Sequence, residues 1–218
     1  GVTQWFNKER LLEMIHVFLV FDAGVKKVCR PNQYFAVKAA QPRCEKKEGG
    51  VIWEAQGSGK SLIMVWLAEW IHENIDNSRV VIITDREELD EQISDGFKDT
   101  GETIARAKSG AGLIGMLNEE APWLLCTLIH KFGKKNVEGK GDMAGVKSEI
   151  PLAKYLEDIV AQLPQGFKAK GNIFVFIDEC HRTQGGYLHE AMKTIMGKDV
   201  MMIGFTGTPL LHTQKKDT

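Results

Sequence analysis

Six consecutive residues, Gln56-Gly57-Ser58-Gly59-Lys60-Ser61, follow closely on the apolar stretch Val51-Ile52-Trp53. Glycines at alternate positions let backbone N–H groups converge on anionic oxygens, and a helix starting near Lys60 adds the positive end of its dipole. In such a cradle Lys60 reaches the outer phosphates of a nucleotide and Ser61 a magnesium ion. The usual pattern, G-x-x-x-x-G-K-[ST], places a glycine six positions ahead of the lysine, where this chain has Glu54. A glycine-serine-glycine tract also makes ordinary flexible turns. What favours phosphate binding is the order of strand, glycine loop and apolar helix: Leu62, Ile63, Trp66, Leu67, Trp70 and Ile71 recur at the spacing of a helix with one buried face.

A second pair, Asp178-Glu179, closes the run Ile173-Phe174-Val175-Phe176-Ile177, the most apolar in the chain. A strand of that kind delivers both acids to the carboxyl edge of a parallel sheet, where open α/β folds bind their ligands. Magnesium keeps most of its waters and takes one or two protein oxygens, which makes Asp178 the metal-side carboxylate. Glu179 is then placed to orient and deprotonate the water that attacks a terminal phosphate. Adjacent acids after a strand also suit the start of a following helix. Lys60 and Ser61 in the same chain tip the balance towards catalysis, with Lys60, Asp178 and Glu179 as its residues.

Positioning these groups takes a sheet. Val80-Val81-Ile82-Ile83 is a β-branched run bounded by polar residues, as a strand buried on both faces would be. Further strands are expected at Trp123-Leu124-Leu125-Cys126-Thr127, at the run before Asp178, and at Val200-Met201-Met202-Ile203-Gly204-Phe205. Leu89, Ile93 and Phe97 mark a helix, and Leu152, Tyr155, Leu156, Ile159, Val160 and Leu163 another. Short apolar strands separated by helices predict an α/β fold, a mostly parallel sheet with helices on both faces. Ahead of the glycine loop, Asn7 is expected to cap a helix carrying Leu11, Leu12, Ile15, Phe18 and Leu19 on one side, broken by Phe21-Asp22-Ala23-Gly24. Pro31 opens a second helix through Gln33, Phe35 and Val37 to Ala40.

The 218 residues, 43% of them hydrophobic, suffice for one sizeable core, and one principal domain is expected. With 28 basic and 29 acidic residues the net charge is −1, so no overall field draws the chain to nucleic acid. The glycine- and lysine-rich stretch 133–145 reads as an exposed loop, and Lys134, Lys135, Lys140 and Lys147 around it as a solvated charge run rather than a nucleic-acid contact. The cysteines, Cys29, Cys44, Cys126 and Cys180, are scattered without a C-x-x-C pair, which argues against a zinc site and a secreted disulfide framework. A cytoplasmic location is expected, with no leader or membrane span, and the ends read as cuts within a longer chain.

Asp178-Glu179-Cys180-His181 resembles the D-E-x-H box of superfamily 2 helicases and translocases, and Thr206-Gly207-Thr208-Pro209 resembles their third motif. More narrowly, the chain resembles the motor part of the restriction (R) subunit of type I restriction-modification enzymes. The residues that carry this are Arg30-Pro31-Asn32-Gln33-Tyr34, Gln56 through Leu62, Ile83-Thr84-Asp85-Arg86 with Leu89-Asp90 and Gln92, Thr127 through Phe132, and Gly204 through Leu210. The likeness spans residues 11 to 210, with its motifs in the family's order. It implies a RecA-like P-loop NTPase fold, ATP and magnesium as ligands, and double-stranded DNA as partner, beside methylation and specificity subunits. It also implies that Gln33, with Arg30 nearby, reads adenine; that Thr84, Arg86 and Thr127 face the DNA backbone; and that His181, Thr206 and Thr208 couple nucleotide state to DNA.

The resemblance implies two parts: residues 1–45, a helical segment with the adenine-reading motif, and residues 46–218, the first RecA-like motor domain. A second motor domain, with its transition-state arginine, is expected after Thr218, and a nuclease domain before Gly1. The expected activity is that of an ATP-dependent DNA translocase acting before cleavage, with poor ATP hydrolysis by this part alone. Two rivals share the motifs: another superfamily 2 motor, of type III restriction or repair, and a nucleotide switch that does not translocate.

Overall fold

The computed structural model describes residues 7–22, 25–84, 104–107, 109–128, 159–178 and 185–207. The expected helix around 89–97, the lysine-rich loop and most of the helix expected at 152–163 lie outside these residues.

The chain opens with α1 (Lys8–His16), where the Asn7 side chain accepts from the Arg10 N–H as the N-cap expected. The helix is shorter than its apolar spacing suggested. Leu11, Leu12 and Ile15 are 40%, 47% and 53% exposed, while Met14 is buried. Phe18 is fully buried beyond the helix end, and Leu19 begins a strand. Phe21 and Asp22, expected to break the helix, end β1 (Leu19–Asp22), which forms an antiparallel hairpin with β2 (Val25–Val28). Four residues on either side of Ala23-Gly24 were too few to read as strands.

α2 (Pro31–Glu45) starts at the predicted proline but runs five residues past Ala40, through Pro42. Proline in a helix forfeits one backbone bond; burial of Ala40, Gln41 and Cys44 holds this last turn in place. Glu13 ties α1 to α2, accepting from Tyr34 Oη at 2.6 Å and Lys38 Nζ at 2.7 Å. Burial pushes the Glu13 carboxyl up, but these two bonds and the charges of Lys38 and Arg10 outweigh it, leaving its pKa below the usual value.

β3 (Gly50–Trp53) leads into the glycine loop and α3 (Lys60–Asn74). Six consecutive α3 residues, Ile63 to Ala68, are completely buried, so the helix is enclosed rather than one-faced. β4 (Ser78–Thr84), β5 (Ala105–Ala107), α4 (Gly110–Asn118), β6 (Leu124–Leu128), β7 (Asn172–Asp178), α5 (Gly185–Met196) and β8 (Met201–Thr206) follow. The six strands β3-β8-β7-β4-β6-β5 form one sheet, in that spatial order and parallel throughout.

Strand residues alternate between two cores. Val80, Ile82, Phe174 and Phe176 pack with α1, α2 and α3; Val81, Ile83, Val175 and Ile177 pack with α4 and α5 on the other face. The α/β reading holds, with helices on both faces. The first of these cores runs from Met14 to Phe205, so α1, β1 and α2 share it with the sheet.

At the edge of the sheet away from the glycine loop, Arg79 is 1% exposed. Its guanidinium donates to the carbonyls of Met116, Leu117, Glu119, Pro122 and Lys170 at 2.7–3.2 Å. Three of these carbonyls lie at the C-terminus of α4, where a cation also meets the negative end of the helix dipole. The guanidinium thus fastens α4 and the chain before β6 and β7 to the start of β4.

Candidate nucleotide-binding site

Parallel pairing brings five strand ends to one edge. Trp53 pairs with Thr206, and Asp178 with Phe205. Ile83 pairs with Ile177 on one side and Thr127 on the other, so Thr84 and Asp178 each end their strand one residue beyond that pair. The expected groups Lys60, Ser61, Asp178, Thr206, Thr84 and Thr127 therefore come from strands, or a helix start, along a single carboxyl edge. Arg86, Glu179, His181 and Thr208 lie outside the described residues.

The loop has the conformation its glycines permit. Gly57 and Gly59 have φ of 77° and 85°, in the left-handed region that side chains disfavour. A Cβ on Gly59 would run into the Gln33 amide. α3 begins at Lys60, which sets the positive end of the helix dipole at the loop. Ser58 Oγ is buried without a hydrogen-bond partner, a polar atom left over for a ligand. Lys60 Nζ donates to the Glu54 carbonyl at 3.4 Å.

Gln33 is 2% exposed and already committed. Its Oε1 accepts from the Arg30 N–H at 2.7 Å, and its Nε2 donates to the carbonyls of Ser58 at 2.9 Å and Gly59 at 3.3 Å. An amide oxygen has two lone pairs, so Oε1 keeps one acceptor site beyond these bonds. Around it opens a cleft of about 320 Å³, walled by Lys27 and Val28 of β2, Arg30, Gln33, the 57–59 backbone and Leu62. That volume is in the range of small-molecule sites, roughly 300–1,000 Å³. Lys27 and Val28 could not be anticipated without the hairpin. A larger groove of about 420 Å³ runs between α2 and β3; the glycine loop lines the smaller cleft and not this groove, which makes the smaller cleft the candidate nucleotide site.

Glu54, which broke the expected pattern, is held on three sides. Its Oε2 accepts from Asn32 Nδ2 at 2.8 Å, its N–H donates to the Thr206 carbonyl at 3.1 Å, and its carbonyl accepts from Lys60. Trp53 Nε1 donates to the Gly207 carbonyl at 3.2 Å. A Cβ on Gly207 would lie 3.3 Å from Gln56 N and 3.4 Å from Lys60 Nζ. Glycine just after β8 therefore allows the close approach to the glycine loop. Thr84 and Thr127 are 0% and 1% exposed, so it is their strand ends rather than their hydroxyls that face outward.

The family model of the SWI2/SNF2 ATPase matches residues 32–218, from the first turn of α2 onward. The chain belongs to the SWI2/SNF2 ATPase family. It is a helicase-like motor domain, and sequence relatives extend the likeness to type I restriction enzymes. One, the type I restriction enzyme SauCOLORF180P endonuclease subunit of Staphylococcus aureus (strain COL), is 28% identical over 204 residues, 92% of this chain and 20% of its own length. Curated relatives of this kind are about five times as long as the stretch they share with the chain. Among solved structures, the UvsW helicase of bacteriophage T4 superposes with a TM-score of 0.58 at 15% identity, covering 93% of this chain and 60% of that one. The Sulfolobus solfataricus SWI2/SNF2 ATPase core in complex with double-stranded DNA gives 0.50 at 15% identity, covering 84% and 33%. At that identity the likeness is one of fold, and the fold of this SWI2/SNF2 ATPase is the RecA-like one expected.

Proposed function

We propose that the chain is the first ATP-binding motor domain of a DNA translocase that works in a type I restriction enzyme. The observation that carries this reading is the convergence of the phosphate loop, Asp178 and the end of β8 on one sheet edge. Lys60 and the loop N–H groups would hold the phosphates, Ser61 and Asp178 the magnesium ion, and Arg30 and Gln33 the base. Magnesium, when bound, supplies positive charge against the phosphate oxygens. Glu179 would orient the attacking water and accept its proton at a carboxylate oxygen.

His181, Thr206 and Thr208 would pass nucleotide state on. The backbone link from Thr206 to Glu54 supports this, since a shift of β8 is felt at the loop's first residue. Double-stranded DNA would cross the sheet edge at the ends of β4 and β6, near Thr84, Arg86 and Thr127, contacting backbone rather than sequence. The S. aureus relative, an endonuclease subunit, and the DNA-bound SWI2/SNF2 core support DNA as the track and methylation and specificity subunits as the assembly. We place the protein in the cytoplasm, where such DNA would be met.

ATP-driven displacement of a triplex-forming oligonucleotide, measured with the complete restriction subunit carrying this domain, tests the reading. Displacement that is lost in Lys60→Ala is the expected outcome. ATP hydrolysis without displacement would favour the nucleotide switch instead.

A further inference from the structure

Asn32 and Gln33 are adjacent in the first turn of α2, yet they reach opposite ends of the phosphate loop. Asn32 Nδ2 donates to Glu54 Oε2 at 2.8 Å, at the loop's start, and Gln33 Nε2 donates to the carbonyls of Ser58 and Gly59, at its finish. Successive helix residues diverge by about 100°, which gives one turn this span. Asn32 and Glu54 line the groove between α2 and β3, whereas the nucleotide cleft is walled by Gln33 and the 57–59 backbone. The bond to Asn32 thus holds the Glu54 carboxylate on the groove side, away from where phosphates would sit. The same residue's backbone holds Lys60 through its carbonyl and Thr206 through its N–H.

We propose that Asn32 and Glu54 are a positioning pair that, with Gln33, lets one helical turn grip both ends of the phosphate loop and so couples base recognition to phosphate recognition. The inference rests on the nucleotide-site reading above. It gives Glu54 a reason to stand where a glycine is usual: a glycine there would leave Asn32 nothing to hold. Restoring that glycine should therefore harm the site. A ligand that spans base and phosphates needs the two halves in register, whereas a bare triphosphate needs only the loop.

The experiment is calorimetric titration of the 218-residue chain with MgATP and with inorganic tripolyphosphate. Glu54→Gly and Asn32→Ala are each expected to weaken MgATP about three- to tenfold, the worth of one solvent-exposed hydrogen bond, and tripolyphosphate by less. The double variant should be no worse than either single one. The exchange Asn32→Asp with Glu54→Gln, which swaps donor and acceptor, should recover most of the loss. MgATP affinity in Glu54→Gly equal to or above the parent's would overturn the proposal. So would equal losses for both ligands, which would mark a role in folding alone. MgATP binding that Lys60→Ala leaves unchanged would instead remove the nucleotide site on which the pair depends.

Discussion

At Gly59 the backbone stands at φ 85°, and an added Cβ meets the Gln33 amide. Gly57, at φ 77°, has open space where its Cβ would be. The two glycines therefore serve differently: one for turn conformation alone, the other also for close approach of α2 to the loop. Left-handed backbone costs an alanine about 1–2 kcal/mol, and at Gly59 the collision adds to it. Gly59→Ala is expected to lower MgATP affinity about tenfold, with a smaller loss for Gly57→Ala, both read by titration calorimetry. Equal losses would mean that the Gln33 contact is incidental. Among the described residues, Cys29, Cys44 and Cys126 are buried and in no disulfide, and burial pushes Cys29 up to about 11 and Cys44 up to about 12, so neither of these two forms thiolate at neutral pH.

The elements differ in how plainly they were written. β4, β7 and β8 announce themselves as dense apolar runs because each is buried on both faces and needs no alternation. The hairpin β1–β2 and the three-residue β5 are too short for any periodicity to emerge, and α4, with three glycines in nine residues, hides its helix former content. In the site, Asp178 and Thr206 could be placed because each ends an apolar strand, and Lys60 and Ser61 because they open the apolar helix after the glycine loop. The Asn32–Glu54 bond was not, since it joins residues 22 apart through a turn of α2 packed on the loop. Arg79 was equally silent: a charged residue at a strand start reads as solvated until α4 closes over it. Arg79→Met would take the guanidinium from five carbonyls, of which Met116 and Leu117 keep the N–H groups of Glu119 and Lys170, and is expected to cost about 3 kcal/mol by denaturant unfolding. MgATP affinity should hold, because Arg79 lies at the opposite end of β4 from Thr84. A loss below about 1 kcal/mol would show the carbonyls to be satisfied without it.

Across the molecule, six parallel strands divide labour by direction: their amino ends are fastened by contacts such as Arg79, and their carboxyl ends carry the groups that could act. This division puts the loop, Asp178 and the end of β8 on the one edge that a ligand would meet. A net charge of −1 supplies no general attraction to DNA, so any track must be held by groups placed locally along the carboxyl edge. Everything in this arrangement depends on the loop before α3 being a phosphate site. Titration of MgATP into the 218-residue chain, set beside Lys60→Ala with its fold verified by circular dichroism, tests that most directly. Saturable 1:1 binding by the parent, weakened at least tenfold in Lys60→Ala, is the predicted result; no binding by the parent, or equal binding by both, would contradict it.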